Sequence, residues 1–161
     1  FIIQDNDIIY NARGIYIDQS PFQPGTVNTY ERNKILYNSN GVQFQATREK
    51  SIFRDNIIKG NMEAILNDTP RNKLEKNQWR RNFWDDYEGF DRNGDGIGDI
   101  AYKHYVYADK LWLYNENIRF FYGSVVMELL NFLAQIAPFS EPDLLATDEE
   151  PLMKWEFEDE K

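Results

Sequence analysis

Two stretches decide the fold when laid over each other: Ile3-Gln4-Asp5-Asn6-Asp7-Ile8-Ile9-Tyr10-Asn11 and Tyr30-Glu31-Arg32-Asn33-Lys34-Ile35-Leu36-Tyr37-Asn38. Gly14-Ile15-Tyr16-Ile17 follows the first, and Gly41-Val42-Gln43-Phe44 follows the second. A third copy runs Phe53-Arg54-Asp55-Asn56-Ile57-Ile58-Lys59-Gly60-Asn61, then Ala64-Ile65-Leu66. A fourth aligns as Leu74-Glu75-Lys76-Asn77-Gln78-Trp79-Arg80-Arg81-Asn82. Asn6, Asn33, Asn56 and Asn77 then form one column, with a second asparagine five residues on at 11, 38, 61 and 82. Ile8, Ile35, Ile58 and Trp79 form an apolar column between them, and Ile3, Tyr30, Phe53 and Leu74 another before them.

A fixed period of this length marks a solenoid. The short runs alternate apolar and polar, the period of a strand with one inward face. Strands of three or four residues are not stable alone. Stacking coils buries a continuous core and pairs the strands in parallel, and parallel crossovers are strongly biased to the right hand. Asparagine suits the turns because it tolerates the left-handed conformation, and stacked amides can bond in ladders. A leucine-rich repeat also carries an asparagine ladder, but its leucine pattern is absent. The expected fold is therefore all-β: coils of a right-handed parallel β-helix over residues 1–84, closed by a C-terminal loop-plus-helix cap over 85–161. The first coil is lengthened by Gln19-Ser20-Pro21-Phe22-Gln23-Pro24-Gly25, a candidate binding loop.

Composition narrows the function. Net charge is −9 over 161 residues. Nucleic acid and anionic membranes, which need basic patches, are excluded as main partners. There is no cysteine, so disulfides, thiolate metal sites and a cysteine nucleophile are excluded. His104 is the single histidine, and with Met62, Met127 and Met153, scattered along the chain, it makes up the soft or imidazole ligand set. Copper binding is not supported by this stretch. The chain starts at Phe1 without a methionine or a basic leader, which reads as a piece whose upstream part has been removed.

Beyond the repeats comes Asp91-Arg92-Asn93-Gly94-Asp95-Gly96-Ile97-Gly98-Asp99. Its spacing matches the first half of an EF-hand loop. Asp91, Asn93 and Asp95, the Ile97 carbonyl and Asp99 are the candidate ligands of a Ca²⁺ ion. Tyr102 stands where the bidentate glutamate would be, and Asp85, Asp86 or Glu88 could supply the missing oxygen. The alternative is a glycine-rich turn whose aspartates cap backbone amides.

Asn82-Phe83-Trp84-Asp85-Asp86-Tyr87-Glu88-Gly89, then Asp91, then Asp95-Gly96-Ile97-Gly98-Asp99-Ile100-Ala101-Tyr102, resembles the C-terminal signature of the NosD family. That signature runs roughly Asn-Tyr-Trp-Ser-Asp-Tyr-x-Gly-x-Asp, then Asp-Gly-Ile-Gly-Asp-x-Pro-Tyr. Asp85 replaces its serine and Ala101 its proline. Leu111-Trp112-Leu113-Tyr114 and Ala137-Pro138-Phe139-Ser140 also look like the family. The resemblance implies a right-handed β-helix of the carbohydrate-binding and sugar-hydrolase type. It implies a periplasmic protein that assists maturation of the copper centre of nitrous oxide reductase. The partners it implies are the ABC transporter of NosF and NosY and the copper chaperone NosL.

Ser124 through Ile136 reads as a helix capped by Ser124, with Glu128, Asn131 and Gln135 on one polar stripe. It is expected either to cover the last coil or to dock on a partner membrane protein. The tail from Glu141 is expected to be extended and disordered near its end. No catalytic residue is assigned. A glycosidase needs two facing carboxylates, and Asp5, Asp18, Asp55 and Asp68 do not share suitable outward columns. Binding or processing of polysaccharide remains the alternative reading.

Overall fold

The computed structural model describes residues 1–19, 23–69, 74–106, 124–136 and 142–155. Three coils are complete. The first holds β1 (Ile2–Gln4), β2 (Asp7–Ile9) and β3 (Arg13–Ile17). The second holds β4 (Val27–Glu31), β5 (Lys34–Leu36) and β6 (Asn40–Phe44). The third holds β7 (Lys50–Arg54), β8 (Ile57–Lys59) and β9 (Glu63–Asn67). A fourth begins with β10 (Gln78–Arg80) and β11 (Phe83–Trp84). Equivalent strands pair in parallel between coils, giving one sheet in the order β2-β5-β8-β11 and another in the order β3-β6-β9. The structure is a parallel β-solenoid, and the strand repeat expected from the sequence is present.

The register corrects the alignment of the fourth repeat. Ile3 pairs with Tyr30, Tyr30 with Phe53, and Phe53 with Trp79. Ile8 pairs with Ile35, Ile35 with Ile58, and Ile58 with Trp84. Trp79 therefore continues the first apolar column, and Trp84 continues the second. Asn82, rather than Asn77, continues the first asparagine ladder. Asn77 instead accepts from Ser51 N at 3.0 Å.

Inside the tube the aromatic column stacks at close to the strand spacing. Tyr30 and Phe53 lie 4.7 Å apart and near-parallel, and Phe53 and Trp79 lie 4.0 Å apart. Phe44, Val42, Ile35, Ile58 and Ile65 fill the rest of the core and are fully buried.

The asparagines work as expected, with one refinement. Asn33 N and Nδ2 both donate to Asn56 Oδ1, and Asn33 Nδ2 also reaches Ile3 O. Asn56 N and Nδ2 donate in the same way to Asn82 Oδ1. A second ladder runs from Asn11 to Asn38 to Asn61. The left-handed residue, however, is the one before each asparagine. Asp5, Arg32, Asp55 and Arg81 have φ of 57°, 51°, 53° and 55°, and Tyr10, Tyr37 and Gly60 have 58°, 54° and 65°. A bulky tyrosine in this region is uncommon. Here Tyr10 stacks on Tyr37 at 5.5 Å, and a Cβ on Gly60 would meet the Tyr37 ring at 2.4 Å.

The closing rung departs from expectation. The tail is a strand, β13 (Asp143–Asp148), which pairs in parallel with β10. β12 (Tyr102–Val106) then pairs antiparallel with β13, completing a sheet in the order β1-β4-β7-β10-β13-β12. The end of the tail, Glu156–Lys161, lies outside the described residues, as do Ser20-Pro21-Phe22 of the first-coil insertion. The helix expected over 124–136 forms as α1 (Val125–Ile136). The strands β12 and β13 close this sheet, while the described apolar side chains of α1 are exposed.

Candidate functional site: the closing end of the solenoid

An amide ladder has a direction. Each asparagine donates forward, so the last one needs a group that only accepts. Asp148 is that group, and it is completely buried. Its Oδ2 accepts from Asn82 N, Asn82 Nδ2 and Trp84 Nε1 at 2.9, 2.9 and 3.1 Å. Its Oδ1 accepts from Arg81 N and Glu150 N, both at 3.1 Å. No local sequence pattern announces this residue, which lies 66 positions beyond Asn82.

The segment after β11 wraps this closure. Asp85 Oδ2 accepts from Gly60 N, and Asp86 Oδ2 accepts from the Tyr102 hydroxyl at 3.0 Å. Tyr102 stacks on Trp84 at 4.4 Å, and its hydroxyl lies 3.0 Å from His104 Nδ1. Burial, then the charge of Asp86, holds the Tyr102 phenol protonated. Tyr87 lies between two glycines: a Cβ on Gly89 or Gly98 would sit 1.9 or 2.0 Å from its hydroxyl oxygen. That hydroxyl donates to Ile100 O at 2.6 Å.

The Asp/Gly loop is tied to the tail. Gly98 N donates to Pro151 O and Met153 N to Gly96 O, and Ile97 bridges Leu152. Inside the loop, Asp91 Oδ1 accepts from Gly94 N at 2.7 Å and Oδ2 from Gly96 N at 2.8 Å. Asp95 Oδ1 accepts from Ile97 N, Asn93 Nδ2 donates to Asp95 Oδ2, and Asp99 Oδ2 accepts from Arg92 N. The backbone amides, Gly96 first, hold the Asp91 carboxyl below its usual range. These bonds make an amide-capped turn. The structure brings Asp91, Asn93 and Asp95 together, and it places Asp99 at the loop's return and Ile97 against the tail.

Among the described residues the imidazole and thioether side chains lie apart. His104 Nδ1 is engaged with Tyr102, its Nε2 is buried, and Met62 is exposed on a coil. No group of three or more histidines, cysteines or carboxylates suited to a metal occurs among the described residues. Met127 has no described side chain. Three of the four carboxylates weighed as catalytic are engaged between coils. Asp5 pairs with Arg32 at 2.8 Å, Asp55 with Arg81 at 2.9 Å, and Asp68 accepts from Gln43 at 3.0 Å.

Val106 pairs with Asp143, so the chain leaves β12 and enters β13 at paired positions on the rim. Between these two strands in the chain comes α1, whose Val125, Val126, Leu129, Phe132 and Leu133 are 80, 60, 54, 55 and 45% exposed. Their spacing of one, three and four residues places them on one face. At about 18 Å, α1 is short for a membrane span. No described helix is long and apolar enough to cross a membrane.

Residues 1–89 match the model of a family described as periplasmic copper-binding protein (NosD). The chain belongs to the NosD family. Two curated relatives, each called a probable ABC transporter binding protein NosD, extend the likeness. One, from Stutzerimonas stutzeri, is 34% identical over 129 residues, and the other, from Pseudomonas aeruginosa, is 30% identical over 128. Each alignment covers 79% of this chain and 29% of the relative. The NosD description places the family in the periplasm. The segment that carries the NosD resemblance, from Asn82 to Tyr102, is accounted for largely as closure: Trp84 on Asp148, Asp86 on Tyr102, Tyr87 between its glycines, and the Asp/Gly loop on the tail.

Proposed function

We propose that this chain is the closing end of a periplasmic NosD scaffold that docks through α1 on the membrane subunit of an ABC transporter. In this role it assists assembly of the copper centre of nitrous oxide reductase. The partners are the transporter of NosF and NosY, the chaperone NosL and the reductase. The observation that carries the reading is the exposed apolar face of α1, which lies in the chain between the two strands that close the solenoid. Leaving such a face in water costs about 25 cal/mol per Å². The relatives' shared name supplies the class of partner. In this reading the chain contributes to copper-site assembly by positioning partners.

A photo-crosslinking residue replacing Phe132 is expected to capture the transporter's membrane subunit. The same residue at Tyr16, on the side of the coils, is expected to capture none. Capture from position 16 with none from position 132 would overturn the reading. For the Asp/Gly loop, calcium is proposed as an occupant on the alternation of Asp91, Asn93 and Asp95, and a calcium titration of thermal stability tests it.

A further inference from the structure

At the closing end lies a buried polar chain that the docking reading does not use. The Asp86 carboxylate can only accept, so the Tyr102 proton points to it. The Tyr102 oxygen must then accept from His104 Nδ1–H. This fixes the tautomer and leaves a lone pair on His104 Nε2. That atom is buried and has no hydrogen-bond partner among the described residues.

The surroundings decide what this lone pair can tolerate. On β12, His104 has Tyr102 beside it. From the segment after β11 it faces Asp86 through the Tyr102 hydroxyl, and Asp85 and, from β9, Glu63 also act on that hydroxyl. From β11, Trp84 lies over the ring with centroids 6.5 Å apart. From β13 the register partner is Ala146. The carboxylate of β13 nearest this stack, Asp148, is occupied by Trp84, Asn82 and backbone amides. A proton on Nε2 would thus create a buried donor with no acceptor, on a ring whose charge is only indirectly balanced. Leaving such a donor unpaired is costly.

We propose that His104 is a proton-operated latch on the edge strand β12: neutral, it holds β12 against β13 and Trp84, and protonated, it lets β12 lift from them. His104 is placed to act this way because β12 is the last strand of its sheet, with β13 as its neighbour. The register also shifts between His104 and Tyr105, so the ladder is already interrupted at the latch. The mechanism concerns the hold on β12, which precedes α1 in the chain, and it rests on the docking reading only for its purpose.

The sign follows from burial. Burial lowers the affinity of His104 for a proton, and Asp86 opposes this to a lesser degree. The opened strand, with an ordinary imidazole near pH 6.5, binds the proton more readily than the closed one. The latch is therefore fully closed above about pH 6.5, and its contribution is lost as pH falls below that value.

The chain has one histidine, so its ring gives one NMR signal to titrate. That signal is expected to titrate below the ordinary value. Over the same range, amide exchange in residues 102–106 and 143–148, corrected for its intrinsic pH dependence, is expected to rise at least tenfold. Exchange in β4 through β9 should stay flat. His104→Phe and His104→Gln, which cannot take the proton, should abolish the rise, and the second serves if the first does not fold. An ordinary titration, unchanged exchange through it, or a rise that survives in a folded variant would overturn the latch. Failure of crosslinking at neutral pH would remove the docking reading and leave this result standing.

Discussion

The coils and the closing end solve the same problem by opposite means. Within the coils the ladder amides are both donors and acceptors, so Asn33 and Asn56 pass one hydrogen-bond pattern from rung to rung. At the end the pattern must stop. It stops on Asp148, which takes donors and gives none. The coils resemble one another because each contacts only its neighbours. The end is assembled from distant pieces: β11, the Asp/Gly loop, β12 and the tail. A repeat can therefore be lengthened without changing its chemistry, whereas the end is specific.

Substitutions should separate these two regimes. The largest loss is expected at the terminator. Asp148→Ala removes the acceptor of five donors, and at about 1–3 kcal/mol for each buried group left unpaired it should cost more than 3 kcal/mol. Denaturant unfolding measures this, and a loss below that of a ladder asparagine would break the comparison. Asn56→Ala comes next. It interrupts the ladder in mid-run, where Asn33 loses its acceptor and Asn82 keeps only the backbone donor of position 56, and about 2–3 kcal/mol is expected. Gly98→Ala should cost about 1–3 kcal/mol by overpacking, because its Cβ would sit 2.0 Å from the Tyr87 hydroxyl. Tyr87→Phe should relieve part of that cost, and a double-mutant cycle reads the coupling. The smallest effect is calcium: addition should raise the melting temperature by a few degrees and a chelator should reverse it. No shift in either direction would remove the ion from the loop.

The same contrast explains what could be read from the sequence. The strands and both asparagine ladders were legible because their signal recurs at a fixed spacing. The fourth repeat misled because Asn77 and Asn82 happen to reproduce the five-residue spacing of the asparagine pair. The stack of Trp79 on Phe53 settles the register. The left-handed residues were misplaced by one because asparagine is the usual occupant of that region. Here the preceding Asp, Arg or Tyr takes it, and the asparagine side chain is left to bond the next coil. Asp143–Asp148 carries little strand signal of its own. Its strand exists because β10, more than sixty residues earlier, offers an unpaired edge. The helix was legible from its apolar period, but its exposure was not, because period reports a face and not what covers it. Of the loop ligands, Asp91, Asn93 and Asp95 were placed together by spacing alone. The closure role of Trp84, Asp86 and Tyr87 needed partners that lie far along the chain.

The central claim is that the exposed face of α1 docks on the transporter. It is tested most directly by co-purifying the transporter's membrane subunit with the full chain and with a Leu129→Asp, Phe132→Asp double variant. Both substitutions fall on exposed positions of α1, so the melting temperature should stay within about 2 °C of the parent while the transporter is lost from the eluate. Undiminished recovery of the transporter by the folded double variant would contradict the account.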